Sequence, residues 1–234
     1  PPVSVLMRTI WRHRFHSEEE RRLAFSIDAV MIQVDMTVGP AVVAAVLAAV
    51  NAAAAFVATI AVVVMSFLVF VLSSASSYLA RESHAKRHML GPLAEPRLLI
   101  VYAATLGFTV SFGLMEVGYA AYATALTMPA FGGTLLAINS AGAAVGGALY
   151  GGMTFNTSTE RQWSAALGLM ALPLFLHAVI EPPVPFAVVA FFAGALISPS
   201  VASQLVLVSR LSPAKYATEA FTWASLFIVC GHGV

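Results

Sequence analysis

Residues 41–72 read AVVAAVLAAVNAAAAFVATIAVVVMSFLVFVL, and this stretch decides the class of fold. Over its 32 residues nothing is more polar than Asn51, Thr59 and Ser66. A helix needs about 20 apolar residues to cross the hydrocarbon core of a bilayer. The stretch is too long for one span, so we expect two, with a turn near Asn51.

The rest of the chain has the same apolar character. Of its 234 residues, 59% are hydrophobic and 10% are charged, and the mean hydropathy is +0.86. Average soluble domains carry about 25% charged residues, so this chain has too few charges to cover a water-soluble globule. We predict an all-α fold, a polytopic bundle of membrane helices, with the lipid bilayer as its surroundings.

The apolar stretches predict six complete spans and an incomplete seventh. A basic segment, 1–22, precedes them, and the longest connector is the polar segment 73–97. Ser17 and Glu20 have the spacing of a helix capping box, and Gly39-Pro40 predicts a kink in the first span. The predicted spans are 24–50, 52–72, 98–125, 131–151, 163–180 and 184–208, with the seventh beginning at residue 219.

The distribution of positive charge predicts the orientation in the membrane. All 12 Lys and Arg residues lie in segment 1–22 or in the second, fourth and sixth connectors, and the first, third and fifth connectors have none. Lys and Arg accumulate in cytoplasmic loops, so we expect residue 1 to lie on the cytoplasmic side. The net charge of +1 gives no reason to expect nucleic acid as a partner.

The sequence carries no signature of an enzyme or a metal site. It has one cysteine, Cys230, and no phosphate-binding loop, nucleophile motif or metal-ligand spacing. His177 and His232 are isolated, near predicted outer ends of spans. We therefore expect no cofactor and no metal. Because the chain begins at Pro1 and ends within an apolar stretch, we also expect a fragment of a longer protein.

Two short segments suggest an internal repeat. LAFS at 23–26 and EAFT at 219–222 both follow a basic segment and both begin a span that runs outward. A separation of six spans is what two parallel six-helix halves would give.

Several motifs, with this repeat, resemble those of bacterial transporters of the major facilitator superfamily, over most of the chain. VGP at 38–40 resembles the Gly-Pro motif that the family's proton antiporters carry in helix five. The other motifs are Asp28, GLMEV at 113–117, NSAG at 139–142, GG at 146–147, YG at 150–151, SP at 198–199, RLSP at 210–213 and EAFTW at 219–223.

The resemblance implies a fragment that runs from about helix five to part of helix eleven, in a bacterial inner membrane. It makes 1–22 a cytoplasmic basic loop and 23–72 the last two helices of the N-terminal bundle. It makes 73–97 the central cytoplasmic loop and 98–234 the C-terminal bundle, truncated in its fifth helix.

Glu116 is the first candidate for a functional side chain, because it lies in the middle of the third span. A charged group at the bilayer centre costs about 2.5–3.5 kcal/mol on insertion scales, so it usually faces a cavity. Phe112 and Tyr119 share its helical face, and the resemblance implies that this helix lines the central cavity. Glu116 could bind a proton or a cationic or amphipathic substrate; the alternative is a structural hydrogen bond to a neighbouring helix.

Asp35, in the first span, is the second acidic candidate. It follows Asp28 by seven residues, which places it about 10 Å farther along nearly the same side of a helix. The two carboxylates could pass a proton or a cation along that side. The alternatives are an exposed or arginine-paired Asp28, near the cytoplasmic mouth, and a structural pairing of Asp35.

The fourth span carries four glycines whose spacing predicts close helix packing, because small residues let two backbones approach each other in lipid. Asn139 shares a face with two of them and could join that interface, with a contact to substrate as the alternative. The glycines are Gly142, Gly146, Gly147 and Gly151.

In the sixth span a polar stripe follows Pro199, which can bend the helix. Ser200, Ser203 and Gln204 share a face there and could form a wall of the cavity. The alternative for the serines is a hydrogen bond back to their own helix.

Taken together, these features predict a proton-coupled secondary transporter that moves a small molecule by alternating access, with efflux of a drug or metabolite as one form of that activity. Two other classes stay open from the residues alone. One is a membrane interaction or sensor subunit without a transport cycle. The other is the permease subunit of a primary pump.

Overall fold

The computed structural model describes residues 3–72 and 89–233, except for some side chains of the first three helices, Pro40 among them. These residues form eight α-helices and no strand, so the all-α prediction is confirmed. Two short 3-10 turns, Gly91–Ala94 and Ala214–Tyr216, precede the fourth and eighth helices. The helices are α1 (Val3–Arg14), α2 (Glu18–Ala49), α3 (Ala52–Leu72), α4 (Pro96–Ala125), α5 (Pro129–Gly152), α6 (Thr159–Val179), α7 (Pro183–Leu211) and α8 (Ala217–His232).

Helices α2 to α8 lie on the seven predicted spans. By length and composition, four helices in the described part of the chain can cross a membrane, namely α4, α5, α6 and α7. A shorter apolar stretch, Ala53–Val69, lies in α3. Four of the six predicted complete spans therefore lie on helices that can cross a membrane, and the other two lie on α2 and α3, which contain side chains outside the described part of the chain.

Segment 1–22 is not the loop that its charge suggested, since residues 3–14 form α1. Helical spacing places Val5, Arg8 and Thr9 on one face, and all three are buried. The Arg8 guanidinium donates a hydrogen bond to Asp28 of α2 at 2.7 Å and another to Ser225 of α8 at 3.1 Å. The sequence did not indicate a buried face here because the residue at its centre, Arg8, is charged.

The predicted capping box starts α2. The Glu20 N–H donates to Oγ of Ser17 at 3.1 Å, and the Ser17 N–H donates to Oε2 of Glu20 at 3.2 Å. The Ser17 N–H group lowers the pKa of Glu20 below its ordinary value, because it stabilises the carboxylate. From there α2 runs as one helix to Ala49, so Gly39-Pro40 does not end it; the Pro40 side chain lies outside the described residues.

Helix α7 is the centre of the bundle. Its residues 202–209 are all buried, and they cover every side of the helix. Other helices must therefore surround this part of α7. It packs most extensively against α5 and also against α6 and α2. Helix α4 packs against α8 and α5, whereas α3 packs mainly against α2.

We call the end of the bundle where α2, α4, α6 and α8 begin the basic end. There the Trp223 indole N–H donates to the Met89 carbonyl at 2.6 Å, which ties α8 to the segment before α4. At the opposite end the Tyr122 hydroxyl donates to the Glu181 carbonyl at 2.5 Å, which ties α4 to the α6–α7 connector.

Candidate functional site

Glu116 lies where α4 meets α8, and its partner is His232. Oε2 of Glu116 is 3.1 Å from Nε2 of His232, and the two side chains are 35% and 32% exposed. At 1.5 Å per residue, Glu116 is about 30 Å along α4 from Pro96. A carboxylate and an imidazole in contact can share one proton in a hydrogen bond, because one of the two groups then donates and the other accepts.

Polar contacts at seven-residue spacing along α4 join it to α8, and we call this set the α4–α8 seam. Its partners on α8 advance in the same order, so the two helices run in the same direction. A seven-residue repeat keeps such contacts on one face of a nearly parallel helix pair. The contacts are Tyr102 hydroxyl to Ala220 carbonyl at 3.0 Å, Thr109 hydroxyl to Phe227 carbonyl at 3.3 Å, and Glu116 to His232.

Two glycines let the α4 and α8 backbones approach closely at this pair. A Cβ atom on Gly113 would lie 2.7 Å from the carbonyl oxygen of His232. A Cβ atom on Gly231 would overlap the hydroxyl of Thr109. The glycines on both helices therefore fix the position of His232 relative to Glu116.

Phe112 lies beside the pair, with its ring centroid 5.0 Å from that of His232. On another side Phe112 borders a void of about 10 Å³ between α4 and α6. The void has an apolar lining, so a ligand that reached it would present an apolar group. The lining residues are Phe108, Ser111, Phe112, Met115, Met170 and Leu174.

Tyr119 and Asn139 lie in a buried contact of three helices. The Asn139 amide donates to the Ala190 carbonyl of α7 at 2.9 Å and to the Tyr119 hydroxyl at 3.5 Å. The His177 ring of α6 packs 5.3 Å from the ring of Tyr119. Asn139 thus ties α5 to α7 and α4 in this structure.

The polar stripe of α7 lies in the packed interior rather than at a cavity. The Ser200 hydroxyl donates to the Leu196 carbonyl of its own helix at 2.7 Å. The Ser203 hydroxyl lies 2.8 Å from that of Tyr150. Gln204 is 2% exposed, and neither of its amide atoms has a hydrogen-bond partner among the described residues. Pro199 lies inside α7 without ending it.

Asp28 and Asp35 do not share an environment, although they lie on one helix. Asp28 is nearly buried and forms an ion pair with Arg8 at 2.6 Å, the arginine pairing considered for it. Asp35 is exposed. The two carboxylates therefore do not form a ladder in this structure.

The four glycines of α5 divide between two contacts. Gly142 and Gly146 face the backbone of α7, where a Cβ atom would overlap the carbonyl oxygens of Phe191 and Ala195, respectively. We call this the α5–α7 contact.

Gly147 and Gly151 instead meet side chains. A Cβ atom on Gly147 would lie 2.5 Å from Val30 of α2 and 2.9 Å from Ser198 of α7. One on Gly151 would lie 3.0 Å from Cβ of Ser26. We call the contact of α2 with these glycines and with Ser198 the α2 seam.

Buried polar atoms without partners lie along the α2 seam. The Oγ atoms of Ser26 and Ser198 and Nε of Arg22 have no hydrogen-bond partner in the described ranges. Arg22 is 6% exposed, and its guanidinium lies 5.1 Å from the ring centroid of Phe155 and 5.9 Å from that of Tyr150. A buried polar group without a hydrogen-bond partner costs about 1–3 kcal/mol.

At the basic end a polar cluster, the basic-end clasp, joins α2 to α6 and α7. Arg210 forms an ion pair with Glu160 and lies 3.7 Å from Oε2 of Glu18. The Thr159 hydroxyl donates to Oε1 of Glu18. The side chains of Arg210, Glu18 and Glu160 are partly exposed, so each ion pair contributes at most about 1 kcal/mol, whereas Thr159 is buried.

Sequence reasoning missed the roles of His232, Arg8 and Arg22. His232 gave no signal because its partner lies 116 residues earlier in the chain. Arg8 and Arg22 were grouped with the other basic residues of 1–22, although helical spacing puts Arg8 on the face of Val5 and Arg22 on that of Ser26. This helical spacing was the one signal in the sequence that could have indicated buried arginines.

No metal centre accompanies these residues. The described part of the chain contains no group of three or more His, Cys, Asp or Glu side chains that could hold a metal ion.

Comparison with known proteins gives one match. The family model described as Major Facilitator Superfamily matches residues 3–233 of the 234. Neither the curated proteins nor the solved structures gave a match to this chain. The family match covers nearly the whole sequence and agrees with the all-helical bundle, so the resemblance seen in the motifs is confirmed: this chain belongs to the major facilitator superfamily.

Proposed function

We propose that this protein is a proton-coupled secondary transporter that exports a small molecule, and that Glu116 binds the coupling proton. The family assignment establishes the coarser activity, secondary transport across a membrane, and excludes an enzyme. It also removes the pump and sensor alternatives. Support for antiport comes from VGP at 38–40, which resembles the motif of the family's proton antiporters.

The observation that carries the proposal is the contact of Glu116 with His232. Within α4, Glu116 is an acidic group deep in an apolar span, and its partner is the imidazole of His232, 3.1 Å away. Both side chains are about one-third exposed, so neither is sealed inside the bundle. If the contact served only to join α4 and α8, two neutral side chains could form the hydrogen bond equally well.

We place the basic end in the cytoplasm of a bacterial inner membrane, as the positions of Lys and Arg favour. Helices α2 and α3 then belong to the N-terminal bundle, and α4 to α8 belong to the C-terminal bundle. The α2 seam and the basic-end clasp become contacts between the two halves, whereas the α5–α7 contact and the α4–α8 seam lie within one half.

Alternating access requires the two halves to separate at one side of the membrane while each half keeps its own packing. The α2 seam suits such a separation, because Arg22, Ser26 and Ser198 would gain water as hydrogen-bond partner when it opens. The clasp at the same end is partly exposed and polar. We infer that the structure represents the state closed at the basic end.

Proteoliposomes that enclose a pH-sensitive dye test the proposal. A panel of cationic, neutral and anionic drug-like compounds is added under an imposed pH gradient, and opposite movement of protons identifies a substrate. We expect Glu116→Gln to reduce this proton movement by at least about tenfold, a loss of about 1.4 kcal/mol. Glu181→Gln, at the exposed α6–α7 connector, is the matched control. Unchanged proton movement in Glu116→Gln would overturn the assignment of Glu116.

A further inference from the structure

We propose that the basic end carries a binding site for a phosphate group, with Arg22 of α2 and the first turn of α6 as its two donors. The phosphate is either a free ion or part of a phospholipid headgroup. This inference does not depend on the proposed transport activity or on Glu116, which lies about 30 Å along α4 from the start of that helix.

Arg22 is a buried cation without a counter-ion in the described part of the chain. It is 6% exposed, it forms no ion pair with a described residue, and its Nε atom has no hydrogen-bond partner there. Buried charges in proteins are ordinarily paired, because a buried charge has lost its hydration and needs a replacement for it. An anion would supply that replacement.

The acidic side chains around Arg22 are engaged elsewhere or exposed. Glu18, one turn earlier on α2, and Glu160 of α6 both lie against Arg210 in the basic-end clasp. All three side chains of that cluster are more than one-third exposed, so water screens their charges. Glu19, also one turn before Arg22, is exposed. None of these carboxylates replaces the lost hydration of the buried guanidinium.

Two aromatic rings hold the guanidinium in position. Its Cζ atom lies 5.1 Å from the ring centroid of Phe155 and 5.9 Å from that of Tyr150. The Tyr150 hydroxyl is fixed in turn, because it donates to Oε1 of Gln162 at 2.7 Å. Aromatic rings attract a cation through their faces, and they use none of its N–H donors. The planar fork of Arg22 therefore remains suited to two oxygens of one phosphate.

The second donor is the first turn of α6, which begins four residues after Phe155. The N-cap residue of this 21-residue helix, Ser158, makes no side-chain hydrogen bond to that turn. The first N–H groups of a helix attract anions, phosphate among them. Thr159 of this turn contacts Glu18, and Glu18 and Arg22 are about 6 Å apart along α2. Both donors thus lie at one corner of the bundle, between α2 and the α5–α6 connector, residues 153–158.

Both sources of phosphate can reach this corner. Leu23, next to Arg22, is 48% exposed, and Met153 at the start of the connector is 51% exposed. Such apolar side chains at the end of a span favour contact with lipid. Residues 156–158 of the same connector are polar and exposed, which favours contact with water. A headgroup could therefore approach beside Leu23, and a free ion along 156–158.

Thermal unfolding of the purified full chain in a neutral detergent tests the free-ion source. The probe is inorganic phosphate, and chloride at the same ionic strength is its reference. A ligand that binds only the folded protein raises the unfolding midpoint as its concentration rises. We expect a rise of about 4 °C when phosphate is at about ten times its dissociation constant.

Nanodiscs in phosphate-free buffer test the headgroup source. The unfolding midpoint is compared between discs of anionic phosphatidylglycerol and discs of zwitterionic phosphatidylcholine. A higher midpoint in phosphatidylglycerol identifies a headgroup as ligand, whereas a rise with inorganic phosphate and equal midpoints in the two lipids identify a free ion. Rises in both arms would show that the site accepts phosphate from either source.

Variants of Arg22 show whether these rises come from the proposed site. Arg22→Gln should abolish whichever rise the wild type shows. Arg22→Lys keeps the charge but cannot bind two oxygens in parallel, so it should retain only part of the rise. Arg97→Gln, which removes an exposed arginine at the start of α4, is the matched control and should behave as the wild type.

Two outcomes would overturn the proposal. One is a wild-type midpoint that responds to neither probe. The other is an equal rise in the wild type and in Arg22→Gln, which would show a general effect of phosphate or of anionic lipid on the folded protein. In the second case Arg22 would serve only through its contacts with the two rings. If Arg22→Gln does not fold, Arg22→Lys decides, since an undiminished rise in that variant contradicts a two-oxygen contact.

Discussion

Helix α5 carries two pairs of glycines, and they lie in contacts of different kinds. Gly142 and Gly146 face carbonyl oxygens of the α7 backbone, where even a methyl group would overlap the neighbouring helix. Gly147 and Gly151 face side chains of α2 and α7, and polar atoms without partners lie beside them.

The two pairs of glycines allow one helix to form both a fixed contact and a separable one. Where backbone meets backbone, no side chain can move aside, and close packing of this kind is one of the forces that hold helices together in lipid. The α2 seam has looser geometry and polar groups that are better satisfied in water. We infer that the α5–α7 contact persists through the transport cycle and that the α2 seam opens.

The largest effect is expected from Gly146→Ala, which tests the fixed contact. The added methyl group would overlap the Ala195 carbonyl, and overpacking of this kind costs about 3 kcal/mol when backbone must shift. The thermal unfolding midpoint should fall markedly, and less folded protein should be recovered.

Gly133→Ala is the control for that variant, because nothing lies within 4 Å of its position on α5. It should be neutral or slightly stabilising, since alanine favours helix over glycine. Equal losses in the two variants would show that the α5–α7 contact is not unusually tight.

A smaller loss of stability, together with a loss of transport, is expected from Gly151→Ala. Its methyl group would lie 3.0 Å from Cβ of Ser26, a tight contact that a small shift of α2 would relieve. We expect a cost of about 1 kcal/mol and slower proton movement in proteoliposomes. Gly152→Ala, with nothing within 4 Å, should change neither quantity. A Gly151→Ala protein with normal transport would separate the α2 seam from the transport cycle.

Ser26→Ala should change stability in the opposite direction. Removal of a buried hydroxyl without a partner should stabilise the closed seam by about 1 kcal/mol. Transport should slow, because water would hydrate the Ser26 hydroxyl in the open state, and the variant loses that stabilisation. The closed state loses nothing, since the hydroxyl has no partner there. Ser200→Ala is the control, since that hydroxyl already bonds to the Leu196 carbonyl. A destabilised Ser26→Ala protein would mean that the hydroxyl has a partner after all.

The smallest effect concerns the start of α2, outside both contacts. Because the pKa of Glu20 is lowered in the folded protein, its stabilising contribution is complete above the ordinary value of 4.5 and disappears as pH falls through the lowered pKa. Glu20→Gln should remove this dependence, measured as the unfolding midpoint from about pH 6 to about pH 3. Transport near neutral pH should not change. Altered transport would show that this cap takes part in opening.

The positions of helices α2 to α8 could be predicted from sequence, because bilayer thickness sets the length of the apolar stretches. The second span was predicted as 52–72, and α3 has those bounds. Helix α1 could not be predicted, because its buried face centres on Arg8, whose charge is offset by Asp28 of another helix.

Less of the candidate site could be predicted. Glu116 stood out because a carboxylate deep in an apolar span is costly wherever it lies. His232 did not, because only the parallel packing of α4 and α8 brings it to Glu116. The division of the α5 glycines between two neighbours depends equally on tertiary packing, since spacing alone puts all four on a packing face.

The most direct test of the account is a pair of distances measured by electron spin resonance between spin labels. With the exposed Cys230 replaced as Cys230→Ser, one sample carries labels at Leu23 of α2 and Gly152 of α5, and the other at Val145 of α5 and Phe192 of α7, all exposed positions. As pH is varied, we predict two distances with changing populations for the first pair and one unchanged distance for the second. A first pair that stays fixed while the second changes would contradict the account.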